Sequence, residues 1–126
     1  MYPVDSIEMP PVTEYPPGLP GLSYTHNCMD GMKEIVGQSM NKSCSADRCT
    51  ETITNTTLLR QLRAAYYAAV TFTDTALGRV LTALDEEGLA NNTIITLIGD
   101  HGYSNGGNRA LFCKRSQFEN GVHIPM

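Results

Sequence analysis

The sequence predicts an α/β fold in which one long helix leads into a buried strand. Three observations carry that expectation. Apolar residues Leu58, Leu59, Leu62, Tyr66, Ala69, Val70, Leu77, Leu81 and Leu84 recur at three- and four-residue steps, the period of one helix face. Residues 93–99, Thr-Ile-Ile-Thr-Leu-Ile-Gly, form an almost unbroken apolar and β-branched run, which suits a strand buried on both faces of a parallel sheet. Asp100-His101-Gly102 follows that run directly, and in open α/β sheets ligands gather beyond the carboxyl ends of strands.

The elements read as follows along the chain. Residues 1–24 hold Pro3, Pro10, Pro11, Pro16, Pro17 and Pro20; each fixes φ and removes a donor, so extended chain with a turn at Pro17-Gly18 is expected. Residues 25–56 show no clear period and read as a variable loop or insertion, with a short helix at Met32–Val36. Residues 57–126 carry the helix, the strand and the loop with the candidate site. Thr57 is the expected cap of a helix over 57–87, and Gly88 stands where it should stop. Such a helix is about 45 Å long, with Val70-Thr71-Phe72-Thr73 expected to weaken or bend its middle. Residues 102–113 contain Gly102, Gly106 and Gly107 and read as a flexible loop. Val122-His123-Ile124-Pro125-Met126 reads as the first residues of another strand. One helix and one strand cannot make a sheet alone, so the sequence is expected to be a truncated, internal piece of a larger domain.

Composition narrows the function classes. The 126 residues have a formal net charge of −4, so nucleic acid is not an expected partner. No apolar stretch is long enough to span a membrane, and Met1-Tyr2-Pro3-Val4-Asp5 lacks the basic and apolar regions of a secretion signal. The four cysteines (Cys28, Cys44, Cys49, Cys113) allow three full pairings and show no zinc spacing. Asn41-Lys42-Ser43, Asn55-Thr56-Thr57 and Asn91-Asn92-Thr93 all fit the N-glycosylation triplet. They make Asn41, Asn55 and Asn91 candidate glycan sites and point to a secretory-pathway protein, lysosomal or secreted.

Chemistry concentrates after the strand. Asp100 and His101 form a plausible metal-binding pair, and Gly102 lets the backbone turn away. Lys114, in Cys113-Lys114-Arg115-Ser116, can return a cation to face an anionic substrate. The bland alternatives are a turn-forming aspartate and a solvated surface lysine.

A longer series of motifs is more specific than any one of these. It runs Ala65-Tyr66-Tyr67-Ala68-Ala69-Val70 with Asp74, Gly78-Arg79-Val80-Leu81 with Ala83-Leu84-Asp85, Leu89-Ala90-Asn91 with Thr93-Ile94-Ile95, then Asp100-His101-Gly102. This series resembles the stretch of sulfatases, in the alkaline-phosphatase-like superfamily, that leads into their second group of metal ligands. Tyr2-Pro3, Tyr15-Pro16-Pro17-Gly18-Leu19-Pro20, Lys114 with Ser116, Phe118-Glu119, and His123 with Pro125 extend the resemblance, within that family, to the branch that removes 2-O-sulfate from uronic acid residues of glycosaminoglycans such as heparan and dermatan sulfate. About residues 25–54 fall outside it. The resemblance implies a mostly parallel sheet flanked by helices, and hydrolysis of sulfuric esters by a formylglycine nucleophile expected upstream of this chain. It implies that Asp100 and His101 ligate one Ca2+ and that Lys114 contacts the sulfate. Calcium favours oxygen donors, so Asp100 is the stronger ligand.

Departures from the pattern matter. Cys44-Ser45-Ala46-Asp47-Arg48 fits the spacing of a formylglycine motif, but it lies at the wrong place in the series and is followed by Cys49-Thr50-Glu51. Cys44 therefore reads as a loop cysteine, open to pairing with Cys28 or Cys49. After Asp-His-Gly the family pattern of Leu-Gly-Glu is replaced by Ser104-Asn105-Gly106-Gly107-Asn108-Arg109, a change that bears on Lys114 more than on Asp100 and makes Arg115 the alternative sulfate contact. His123 is expected to pack rather than react. Two other classes compete: a phosphodiesterase or phosphonate hydrolase of the same superfamily, and an inactive sulfatase-like binding protein. The 126 residues alone are expected to have no activity, since they hold neither a credible nucleophile nor the first group of metal ligands.

Overall fold

The computed structural model describes residues 1–11, 40–45, 48–53, 55–107, 112–114 and 119–124. Its dominant element is helix α1, Thr56–Glu86, 31 residues long. The start is not capped by Thr57. Asn55 takes that role, its backbone extended and its Oδ1 accepting from the Leu58 amide at 3.1 Å. An asparagine acceptor reaches the third helical N–H, one of four the helix cannot satisfy itself. The far end follows the sequence more closely. Gly88 adopts φ 69°, its amide donates to the Asp85 carbonyl, and the Leu89 amide reaches back to Leu84 O at 3.1 Å. That pair of bonds closes the last turn, and the left-handed residue it needs is glycine.

The β-branched middle does not break α1. The hydroxyls of Thr71, Thr73 and Thr75 donate to the carbonyls four residues back, Tyr67, Ala69 and Thr71, at 2.9–3.2 Å. These bonds satisfy the side chains inside the helix, so the helix runs through.

At the amino end, Val4–Ser6 form one 3-10 turn, closed by Ser6 N to Pro3 O at 3.1 Å. This segment lies against α1. Tyr2 meets Tyr67 edge-on at 5.6 Å between ring centroids. The Tyr2 hydroxyl pairs with that of Thr71 at 2.7 Å, and Ile7 is buried. The Pro17-Gly18 turn and the short helix at Met32–Val36 fall outside the described residues.

Within the segment read as loop or insertion lies a hairpin. Strands β1 (Met40–Ser45) and β2 (Arg48–Ile53) pair antiparallel, with Cys44 opposite Cys49. A second, shorter ladder joins β3 (Ser104–Asn105) to β4 (Phe112–Cys113), with Ser104 opposite Cys113. Both ladders are antiparallel and two-stranded; among the described residues there is no parallel sheet.

Three expectations are corrected here. Residues 93–99 take no regular secondary structure and join no ladder, and their side chains stand in solvent, Ile94 at 94% and Leu97 at 68% exposure. β-branching favours extended backbone, but a strand buried on both faces needs paired neighbours and cover over both faces, and the described residues supply neither. Residues 102–107 are not a loose loop: Ser104 and Gly106 are buried and β3 is paired. At the chain end the described residues, 119–124, hold no strand. Glu119–Val122 form a short helix, α2, and the His123 amide donates to Glu119 O at 2.8 Å.

Candidate functional site

The site grows from one face of α1. Leu59, Arg63 and Tyr66 are spaced four and three apart and so share a face. Residues 103–106 lie against that face in reverse order. Tyr103 stacks on Tyr66, ring centroids 4.9 Å apart and planes inclined by 26°. Arg63 Nη1 donates to the Asn105 carbonyl. Gly106 sits on Leu59 with φ 92°, where a Cβ would stand 2.7 Å from Leu59 Cδ1. No larger residue fits there without moving Leu59. Arg63 is itself held, its Nη2 donating to the Tyr67 hydroxyl at 2.8 Å and its guanidinium carbon 5.7 Å from the Tyr67 ring centroid. Ser104 at the centre of the clasp is 2% exposed. Burial, with a smaller contribution from Tyr66, raises the Tyr103 phenol above its ordinary value.

Asp100 and His101 precede this clasp by two residues. The Gly102 amide donates to the Gly121 carbonyl at 3.0 Å, which ties the pair to α2. Asp100 Oδ1 accepts from the His101 amide at 2.9 Å. His101 Nδ1 lies 3.1 Å from the Gly102 carbonyl. A carbonyl only accepts, so Nδ1 carries the proton, and in the neutral form of the ring Nε2 presents a lone pair. That nitrogen is 3.4 Å from Asp100 Oδ2. Two acceptors side by side repel unless a proton or a cation lies between them.

This spacing fits a cation. Two donors at about 2.4 Å from one ion, at about a right angle, are about 3.4 Å apart. The Gly102 carbonyl supplies the outer hydrogen bond that fixes a ligating imidazole. The carboxylate is 87% exposed, so it is open to an ion and to further ligands. The donor set is partial: calcium takes about six to eight oxygens, and the described residues hold no group of three or more His, Cys, Asp or Glu side chains suited to a metal.

The sequence-predicted residues are therefore brought together unequally. Asp100 and His101 touch. Lys114 is exposed and follows β4; the Ser104–Cys113 register sets it opposite Tyr103 in the ladder, two residues past His101. A cleft of about 580 Å³ lies elsewhere, between the second half of α1 and residues 93–96. Asn55 and Asn91 are exposed, Asn41 lies on β1, and Arg115 falls outside the described residues. His123 pairs with Glu119 at 2.6 Å. The sequence reading missed Arg63 and Tyr103. Their positions match a helix face and a loop, and nothing in spacing alone says that the two meet.

Comparison with known proteins agrees in direction. The Sulfatase family model matches residues 13–126. The chain is 34% identical to human iduronate 2-sulfatase over 126 residues, all of this chain and 22% of that protein. It is 34% identical to an arylsulfatase of Clostridium perfringens over 96 residues, 72% of this chain and 20% of that protein. Against arylsulfatase K of Danio rerio it is 36% identical over 88 residues, 70% of this chain and 16% of that protein. The chain thus spans about a fifth of the length of these curated relatives.

Proposed function

The chain belongs to the sulfatase family, and from that premise we propose that it supplies part of the cation and sulfate site of a sulfuric ester hydrolase. The observation that carries this is the Asp100 Oδ2–His101 Nε2 approach at 3.4 Å with Nδ1 tied to the Gly102 carbonyl. A bound Ca2+ supplies positive charge where sulfate oxygens gain charge as the ester bond breaks. Asp100 contributes an anionic oxygen to that ion. His101 contributes a nitrogen whose direction the Gly102 carbonyl sets. Lys114, reaching the site from β4, offers an ammonium to the sulfate. The clasp on α1 holds residues 103–106, next to His101, in place, which matters because misplacement by about 0.5 Å already weakens a site.

The finer reading is removal of 2-O-sulfate from uronic acid residues of glycosaminoglycans, supported by full coverage of this chain in the match to iduronate 2-sulfatase. The formylglycine nucleophile and the other metal ligands belong to parts of the sulfatase polypeptide outside these residues. There residues 93–99 take a place in a mostly parallel sheet, which gives their exposed isoleucines neighbours. The three glycosylation triplets support a lysosomal or secreted location. No helix among the described residues is long and apolar enough to cross a membrane.

The test is sulfate release from a generic aryl sulfate and from a 2-O-sulfated uronyl disaccharide. The 126 residues alone are expected to give none. A full sulfatase polypeptide carrying them is expected to turn over the disaccharide, and Asp100→Asn to lower the rate by about 10²–10³-fold. Unchanged turnover in that variant removes Asp100 from the site. Hydrolysis of phosphodiesters but not sulfates moves the chain to the phosphodiesterase reading. Cation binding without turnover moves it to a binding protein.

A further inference from the structure

We propose that Asn55 carries an N-linked glycan while it caps α1, its two side-chain atoms serving the two tasks separately. This inference does not rest on the sulfate-hydrolysis reading. Asn55 is exposed and extended, with φ −85° and ψ 107°. Its Oδ1 accepts the Leu58 amide at 3.1 Å. Its Nδ2 donates to no group among the described residues, and because the carboxamide is planar that nitrogen points away from the helix turn. Thr57, the third residue of the Asn55-Thr56-Thr57 triplet, is exposed on the first turn, and its hydroxyl is not needed for the cap.

The chemistry leaves the cap intact. In the transfer, a bond forms between Asn55 Nδ2 and the anomeric carbon of the first sugar. The bond from that carbon to the pyrophosphate of a lipid-linked oligosaccharide breaks, the lipid pyrophosphate leaves, and one amide proton is lost to base. No oxidation state changes. The product is still an amide, with Oδ1 and its lone pairs free to accept from Leu58. The cap can therefore form after modification, when the chain folds. A consequence is polarity along α1. A glycan needs room, so the capped end must face water in any larger assembly, which leaves the bare apolar half of the helix to face protein.

Trypsin separates the three candidate sites. Asn55 lies alone on the peptide 49–60, with Asn41 and Asn91 on other peptides, because Lys42, Arg48, Arg60 and Arg79 intervene. The chain is secreted from eukaryotic cells behind a leader, reduced and digested. An amidase that hydrolyses the bond between the Asn carbonyl carbon and Nδ2, releasing the glycan as its glycosylamine and leaving Asp, then marks the modified asparagine. The expected result is a glycan on 49–60 and Asp at position 55 after release. Thr57→Ala and Asn55→Asp should both lose that glycan but keep helix content, whereas Asn55→Ala should lose both. The mapping does not depend on folding, so poor folding of one variant leaves it readable. An unmodified 49–60 peptide in the secreted wild type overturns the proposal. So does a glycosylated chain with the reduced helix signal of Asn55→Ala, since the sugar would then have displaced the cap.

Discussion

The two halves of α1 are alike in pattern and opposite in circumstance. Between Thr56 and Val70 the helix buries Leu59 and Ala64 and engages Tyr2, Tyr103 and Asn105. Beyond Val70 the same periodicity continues through Leu77, Leu81 and Leu84, yet Leu77 is 39% exposed and Leu81 42%, and the neighbouring Phe72 and Val80 are barer still. Apolar periodicity shows that a face asks to be covered; it does not say by what. Residues 1–7 and 103–106 cover the first half. The second half and residues 93–96 instead flank an open cleft. The half with tertiary contacts is the half next to the candidate ligands, so substitutions there should disturb the site, and substitutions in the other half should not.

The largest effect is expected from Leu59→Ala. It removes the most buried side chain of the helix and its contact under Gly106, and should cost about 2–4 kcal/mol in urea unfolding. A loss as small as that of an exposed leucine would break the comparison. Gly106→Ala comes next, at about 1–3 kcal/mol. It combines a positive φ with a close approach to Leu59, and should also loosen β3 in hydrogen exchange. Tyr103→Ala should cost about 1 kcal/mol through the lost stack, and its alkaline behaviour sharpens the point. The folded phenol titrates above its unfolded value, so its contribution is fully present below about pH 10 and is lost as pH rises through the raised folded value. Tyr103→Phe should abolish that alkaline loss while keeping the stack; an unchanged pH profile would mean Tyr103 is not buried against Tyr66. Phe72→Ser, in the bare half, should change stability by less than about 0.5 kcal/mol and reduce self-association by light scattering.

Much of this was legible in the sequence, and what was missed depends on backbone geometry or on distant partners. The helix was readable within a residue at each end because its signals are local: a 3.6-residue period and a glycine at 88. The cap was misassigned by two positions because Asn55, Thr56 and Thr57 are all competent, and only backbone geometry chooses between them. The Asp100–His101 contact was readable because adjacent residues are close by construction. The clasp was not, since Arg63 and Asn105 are 42 residues apart and no local rule joins them. The state of the run at 93–99 was not readable either, because a buried strand depends on neighbouring strands that the described residues do not provide.

The most direct test of the account is Tb3+ titration, with Tb3+ standing in for Ca2+ and emission excited through tyrosine. The chain contains no tryptophan, so sensitised emission must come from tyrosines near the ion, and Tyr103 is two residues from His101. The account predicts saturable emission that Ca2+ competes away, that Asp100→Asn abolishes and that Phe72→Ser leaves unchanged. Equal emission from the wild type and Asp100→Asn would contradict it.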